Sequence, residues 1–128
     1  MSPHLAAAVA GLEQAQGADD HTVIHLSAKF PRNTDDIVWI RALGAEKEWV
    51  IVSGDLRIMR NKAQLLAWRE SGLTAFFLKP AWAHQTIWPF SSRFVGWWPR
   101  IAAQAAMAPK GKGFLVPFKG ERFEDVPP

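Results

Sequence analysis

WVIVSGDLRIMRN, Trp49 to Asn61, is the stretch on which the fold turns. Its first five residues, Trp49 to Ser53, are nearly all apolar and rich in β-branched side chains. That is the pattern of a strand buried on both faces of a parallel sheet. The chain then becomes polar at once and presents Asp55, Arg57, Arg60 and Lys62. In open parallel sheets, ligands bind beyond the carboxyl ends of the strands. An apolar strand that hands over directly to an acid and a run of bases therefore marks a sheet edge where chemistry can sit.

The flanking sequence repeats the alternation. Asn61 is placed to cap a helix carrying Leu65, Leu66 and Trp68, which stops near Gly72. TAFFL, Thr74 to Leu78, reads as the next buried strand. Toward the amino end, Thr34 is placed to cap a helix with Ile37, Ile40 and Leu43 at helical spacing and Trp39 alongside. TVIHL, Thr22 to Leu26, reads as a short strand, preceded by a GADDH loop. Ser2 and Pro3 open a first helix with Leu5, Val9 and Leu12 as its apolar stripe. Strands alternating with helices of about ten residues imply an α/β fold with a parallel sheet. Beyond Pro80, Thr86 to Met107 reads as a helix with Phe90, Phe94, Trp98 and Ile101 at core spacing and a kink at Pro99. GFLVPF, Gly113 to Phe118, reads as a last strand, placed at an edge by Pro117. The tail ERFEDVPP reads as frayed.

Composition sets the outer bounds. The chain has 128 residues, which suits a single domain, 1–128. There is no Cys, which excludes disulfides and thiolate chemistry and is compatible with a reducing cytoplasm. The net charge of +3 permits a polyanionic partner without requiring one. No apolar run is long enough to cross a bilayer, and no signal peptide is evident.

Three carboxylates fall at the expected edge. Asp55 lies two residues past its strand. Asp35 and Asp36 open a crossover helix that begins where the preceding strand ends. Clustered carboxylates repel one another, and a bound hard cation, Mg²⁺ or Mn²⁺, relieves that. An acid in a helix's first turn also complements the helix dipole. That role suits Asp35 better than metal ligation; for Asp36 the two are evenly matched. Asp55 in the SGD turn reads either as a turn residue or, by its place at the strand end, as a ligand. Arg57, Arg60 and Lys62 then supply positive charge for a phosphate backbone, as Lys29 and Arg32 would from the loop before the acids. His21 and His25 point to one face of a short strand but lack a third ligand for zinc. Trp82, Trp88, Trp97 and Trp98 read first as core, with base stacking as the other use. A phosphoacceptor receiver domain would also carry an acidic pair, a strand-end Asp and a Lys-Pro. Only nineteen positions separate Asp36 from Asp55, however, too few for the two βα units a receiver needs.

DDIVWIRALGAEKEWVIVSGDLRIMRNKAQLLAWRESGLTAFFLKPAW, Asp35 to Trp82, resembles the PIN-like domains grouped with VapC-type toxins. The shared features are Asp-x-x-Trp-Ile, then Trp-Val-x-x-Ser-Gly-Asp with Arg-Ile and Arg-Asn after it, then Phe-Phe-Leu. SPHLA and FPRNTD extend the likeness. The resemblance implies a PIN-type three-layer α/β/α sandwich with a mainly parallel sheet. It implies an acidic cluster holding Mg²⁺ or Mn²⁺ and a cytoplasmic ribonuclease, often the toxin of a toxin–antitoxin pair. Asp36 and Asp55 match the family's acids, Ser53 lies beside the site, and Arg57 and Arg60 match neighbouring basic positions. RNA and a cognate antitoxin are the partners it implies. Two features depart from the pattern. Relatives open with a strand ending in an acid before the first helix, whereas this chain opens at MSPHLA, so that strand and acid are expected to be absent. Val38 stands where many relatives carry Glu. These departures favour the alternative of a degenerate, non-catalytic PIN-like binding module. A third reading is a homodimer built on the Trp-rich segment 82–98.

Overall fold

The computed structural model describes residues 1–16 and 21–126. It divides into two compact units, Met1–Thr34 and Asp35–Pro128. In the first unit, helix α1 spans Pro3–Ala15, with Pro3 at its start and the Ser2 hydroxyl accepting the His4 amide at 3.0 Å. Leu5, Ala6 and Val9 are buried, but Leu12 is exposed, so the apolar stripe is shorter than its spacing implied. Of the expected GADDH loop, Gly17 to Asp20 lie outside the described residues.

The expected strand at Thr22–Leu26 does not form. His21 to His25 carry no sheet pairing, and a 3₁₀ turn follows at Leu26–Ala28. The His25 ring caps that turn rather than lying on a strand. Its Nδ1 accepts the Ser27 amide at 3.1 Å, and its Nε2 lies 2.9 Å from the Met1 carbonyl oxygen.

In the second unit, α2 (Asp36–Glu46), β1 (Val50–Ser53), α3 (Arg57–Arg60), α4 (Lys62–Ser71), β2 (Thr74–Leu78), α5 (Ile87–Met107), β3 (Gly113–Val116) and β4 (Glu124–Asp125) follow one another. The sheet order is β1-β2-β3-β4. The first three strands are parallel, in the register Val52–Phe76 and Phe76–Phe114; β4 is antiparallel to β3. The class is therefore α/β with a mostly parallel sheet, as expected.

Both faces of the sheet are covered. Alternate residues of a strand point to opposite faces. Phe77 meets the Trp68 ring of α4 edge-on at 5.5 Å, while Phe76 and Phe114 stack at 5.1 Å on the other face. There they meet Phe123, which in turn meets Trp97 of α5. All five residues of β2 are buried, so β2 is the strand buried on both faces. β1 instead lies at the sheet's edge, with Val50 43% exposed. The apolar run at Trp49–Ser53 could not distinguish these two positions.

α2 packs on α4 at a close approach. A Cβ on Gly44 would lie 2.7 Å from the Ser71 Cβ. α4 ends where Gly72 adopts φ +70°, which glycine tolerates. It buries Ala67 and Trp68 while leaving Leu66 exposed. α5 continues as one helix through Pro99 and buries Phe94, Trp97 and Ile101. The core tryptophan is thus Trp97, and the expected Trp98 is half-buried.

Of the tail expected to fray, Pro127 and Pro128 lie outside the described residues, and the residues before them are tied to the sheet. β3 is an interior strand, and Pro117 falls just past it, so the edge assignment fails. The tail forms β4. Lys79 pairs with Glu124 at 2.8 Å, Lys112 with Asp125 at 3.4 Å, and the Val126 amide donates to the Gly113 carbonyl at 3.1 Å. Among the described residues no helix is long and apolar enough to cross a membrane.

Candidate functional site

The site begins in the SGD turn. As β1 ends, the Ser53 hydroxyl accepts the Asp55 amide at 3.0 Å and folds the chain back. The Asp55 Oδ1 then accepts the Arg57 amide at 2.9 Å, the local bond by which an Asp starts a turn. The same two residues also meet through their side chains. Arg57 Nε lies 3.0 and 3.1 Å from the two Asp55 oxygens, and Nη2 lies 2.8 Å from Oδ2. This two-pronged grip holds the Asp55 carboxyl below its ordinary value against the partial desolvation that raises it, and the Arg57 amide and charge add to the lowering. The Arg57 guanidinium is raised in turn, first by Asp55 and also by the charge of Asp36.

Asp36 comes to the same place from another element. α2 runs back along the sheet into β1, so its amino end lies toward the carboxyl ends of the strands. Asp36 occupies the first turn of α2, half-buried. Its Oδ1 accepts the Trp39 indole N–H at 3.0 Å. Trp39 is itself buried, so this bond fixes the carboxylate to the core side of the helix. Sequence reasoning missed this role for Trp39. The signal was present as Asp-x-x-Trp on a helix, because residues three apart share a face.

The structure therefore joins Ser53, Asp55 and Arg57 in one turn past the end of β1, and Asp36, in the first turn of α2, adds its charge to the field at Arg57. Asp35 is used differently. It is the N-cap of α2, and its Oδ1 accepts the Ile37 amide at 3.0 Å. Thr34, the expected cap, instead donates its hydroxyl to the Pro31 carbonyl at 2.7 Å. Arg60 stands three residues after Arg57 on α3, and Lys62 opens α4; both side chains are exposed. Lys29 and Arg32 belong to the first unit. Among the described residues, no three His, Cys, Asp or Glu side chains come together as a metal-holding group.

Most of the other aromatic and histidine candidates have structural partners. His21 lies 3.7 Å from buried Glu13. Trp82 and Trp97 are core residues. Trp88 alone of the four tryptophans considered for stacking is strongly exposed, at 82%.

Fold and site together define an α/β domain with an acidic and basic rim beyond its strand ends. The chain belongs to the PIN-like domain family, whose model matches residues 1–80. That match runs from α1 through β2 and stops short of α5, β3 and β4. No curated protein and no solved structure matches the chain.

Proposed function

We propose that this chain is a nuclease of the PIN-like class that hydrolyses RNA phosphodiester bonds at the rim beyond β1, as the toxin of a toxin–antitoxin pair. The observation that carries this reading is the Asp55–Arg57 pair just past the end of β1, with Asp36 in the first turn of α2 adding its charge to the surroundings of Arg57. Asp36 and Asp55 would hold a Mg²⁺ or Mn²⁺ ion. The fit rests on the chemistry of the donor set, two carboxylates, of which Asp55 already holds a cationic group, the Arg57 guanidinium. Two carboxylates suffice for such an ion, because Mg²⁺ keeps several waters and takes further oxygens from substrate phosphates. When bound, the ion supplies water activation and neutralises charge on the phosphodiester.

The chain's own residues do the rest. Trp39 fixes the Asp36 carboxylate by its indole bond. The Arg57 amide and the Ser53 hydroxyl fix the Asp55 turn. Arg57, Arg60 and Lys62 offer exposed positive charge to the phosphates on either side of the cut. Asp35 contributes by starting α2, which carries Asp36, and adds negative charge at the helix's amino end. An antitoxin or a second copy of the chain are the protein partners this reading adds.

The test is cleavage of single-stranded RNA with added Mg²⁺ or Mn²⁺, comparing the wild type with Asp55→Asn. Metal-dependent cleavage that Asp55→Asn abolishes, with the far-UV spectrum unchanged, supports the reading. RNA bound without metal and never cut supports a second reading, a non-catalytic RNA-binding module. Two observations favour that second reading: the described residues bring no third acid to the rim, and Arg57 already occupies Asp55.

A further inference from the structure

We propose that Arg57 is an exchangeable counter-cation of the rim: it competes with a metal ion for the Asp55 carboxylate until a nucleic-acid phosphate draws it away, and Asp55 then takes the ion more readily. This rests on the reading of Asp36 and Asp55 as metal-holding acids, and it says what regulates them.

The argument starts from the carboxylate. Arg57 grips both Asp55 oxygens through Nε and Nη2 at 2.8–3.1 Å. A guanidinium fork and a divalent ion compete for the same oxygens, so each excludes the other from a two-oxygen contact. The fork therefore competes with a metal ion that arrives alone.

Arg57 is also free to leave. Its side chain is 76% exposed, so no packing holds the guanidinium in place. Its fork matches phosphate as well as carboxylate, which gives a phosphodiester the means to take it. Departure does not unmake the site, because Asp55 keeps its main-chain bond from the Arg57 amide at 2.9 Å. Asp36 loses the same neighbouring charge. Asp55 then loses its direct ion pair, and a divalent ion can take the oxygens that the fork held. By linkage, if the phosphate strengthens metal binding, the metal strengthens phosphate binding by the same factor. The rim would thus fill with metal more readily when substrate is present.

The test is Mn²⁺ binding to the full chain, read from the paramagnetic resonance signal of free Mn²⁺, so it does not depend on catalysis. The chains are the wild type, Arg57→Gln, Arg57→Lys and Asp55→Asn, each with and without a short single-stranded RNA. Without RNA, Arg57→Gln binds Mn²⁺ tighter than the wild type by about two- to fivefold, the range for releasing an exposed ion pair. RNA tightens Mn²⁺ binding to the wild type by a larger factor than to Arg57→Gln. Arg57→Lys keeps the charge without the fork and falls between them. It carries the comparison if Arg57→Gln does not fold. Asp55→Asn binds no Mn²⁺. If removing the fork leaves Mn²⁺ affinity equal or weaker while the wild type binds, Arg57 merely shapes the turn; the exchange is refuted and the metal reading stands. If no chain binds Mn²⁺ with or without RNA, both fall.

Discussion

Trp39→Phe separates the orientation of Asp36 from its mere presence. The substitution keeps a ring in the buried slot but removes the indole N–H that Asp36 Oδ1 accepts at 3.0 Å. A hydrogen bond to a charged group contributes about 1.5–3 kcal/mol net. Asp36 is half-buried and can recruit water, so the lower part of that range applies. Lost ring area adds to it, and the expected destabilisation is about 1.5–2.5 kcal/mol. The functional effect should be larger than the stability effect. Groups that orient metal-holding residues typically matter about 10- to 100-fold in metal affinity or activity. The assay pairs urea unfolding, followed by far-UV circular dichroism, with Mn²⁺ binding and RNA cleavage on the same preparation. A Trp39→Phe chain that is destabilised yet binds Mn²⁺ and cuts RNA like the wild type would refute the reasoning. Trp39 would then be a core residue whose bond to Asp36 has no bearing on the rim.

Three further outcomes follow from the same structure. Trp82 is buried, meets Phe90, Phe94 and Phe118 edge-on, and donates its indole N–H to the Val116 carbonyl at 3.0 Å. Trp82→Ala should cost about 3–5 kcal/mol in urea unfolding, whereas Trp82→Phe should lose far less, because Val116 still accepts the Lys79 amide at 3.0 Å; equal losses would contradict this. Gly113→Ala would bring a Cβ within 2.6 Å of the Trp68 ring and 2.9 Å of Val126, and should destabilise by about 1–3 kcal/mol, which unchanged unfolding would exclude. The Asp55 carboxyl is held below its ordinary value of 3.8, so its ion pair stabilises the fold above the unfolded carboxylate range and is lost as pH falls through the lowered folded value. The gap in Tm between the wild type and Asp55→Asn should therefore be full near neutrality and close in acid below 3.8; a gap that persists there contradicts the pairing.

Local features of the site were legible because they are built from neighbours in the chain. Ser53, Asp55 and Arg57 form their turn within five residues, and Asn61 caps α4 by accepting the Ala63 and Gln64 amides. Apolar periodicity likewise placed α2, α4, α5 and β2. What it could not supply was lateral position. The Trp49–Ser53 run is as apolar as a central strand, yet it forms an edge, because strand neighbours are chosen by topology rather than by composition. TVIHL has strand-forming residues, yet among the described residues nothing pairs with it. The reverse error occurred in the tail. ERFEDVPP looks polar and loose, but Phe123 docks between Phe114, Phe76 and Trp97, and two lysines tie down Glu124 and Asp125.

The same distinction governs how much the rim depends on the rest of the fold. Asp55 is oriented by its own turn, and Asp36 by a tryptophan three residues away, so each carboxylate is set locally. Their joint charge at Arg57 is not local. It requires α2 to run back along the sheet into β1 and β1 to be held by β2. β2 in turn is held by β3, which lies past residue 80, beyond the family match. Substitutions in β3, β4 or α5 should therefore reach the rim through the position of β2 and β1. Those in the SGD turn should disturb Asp55 alone and leave the sheet standing.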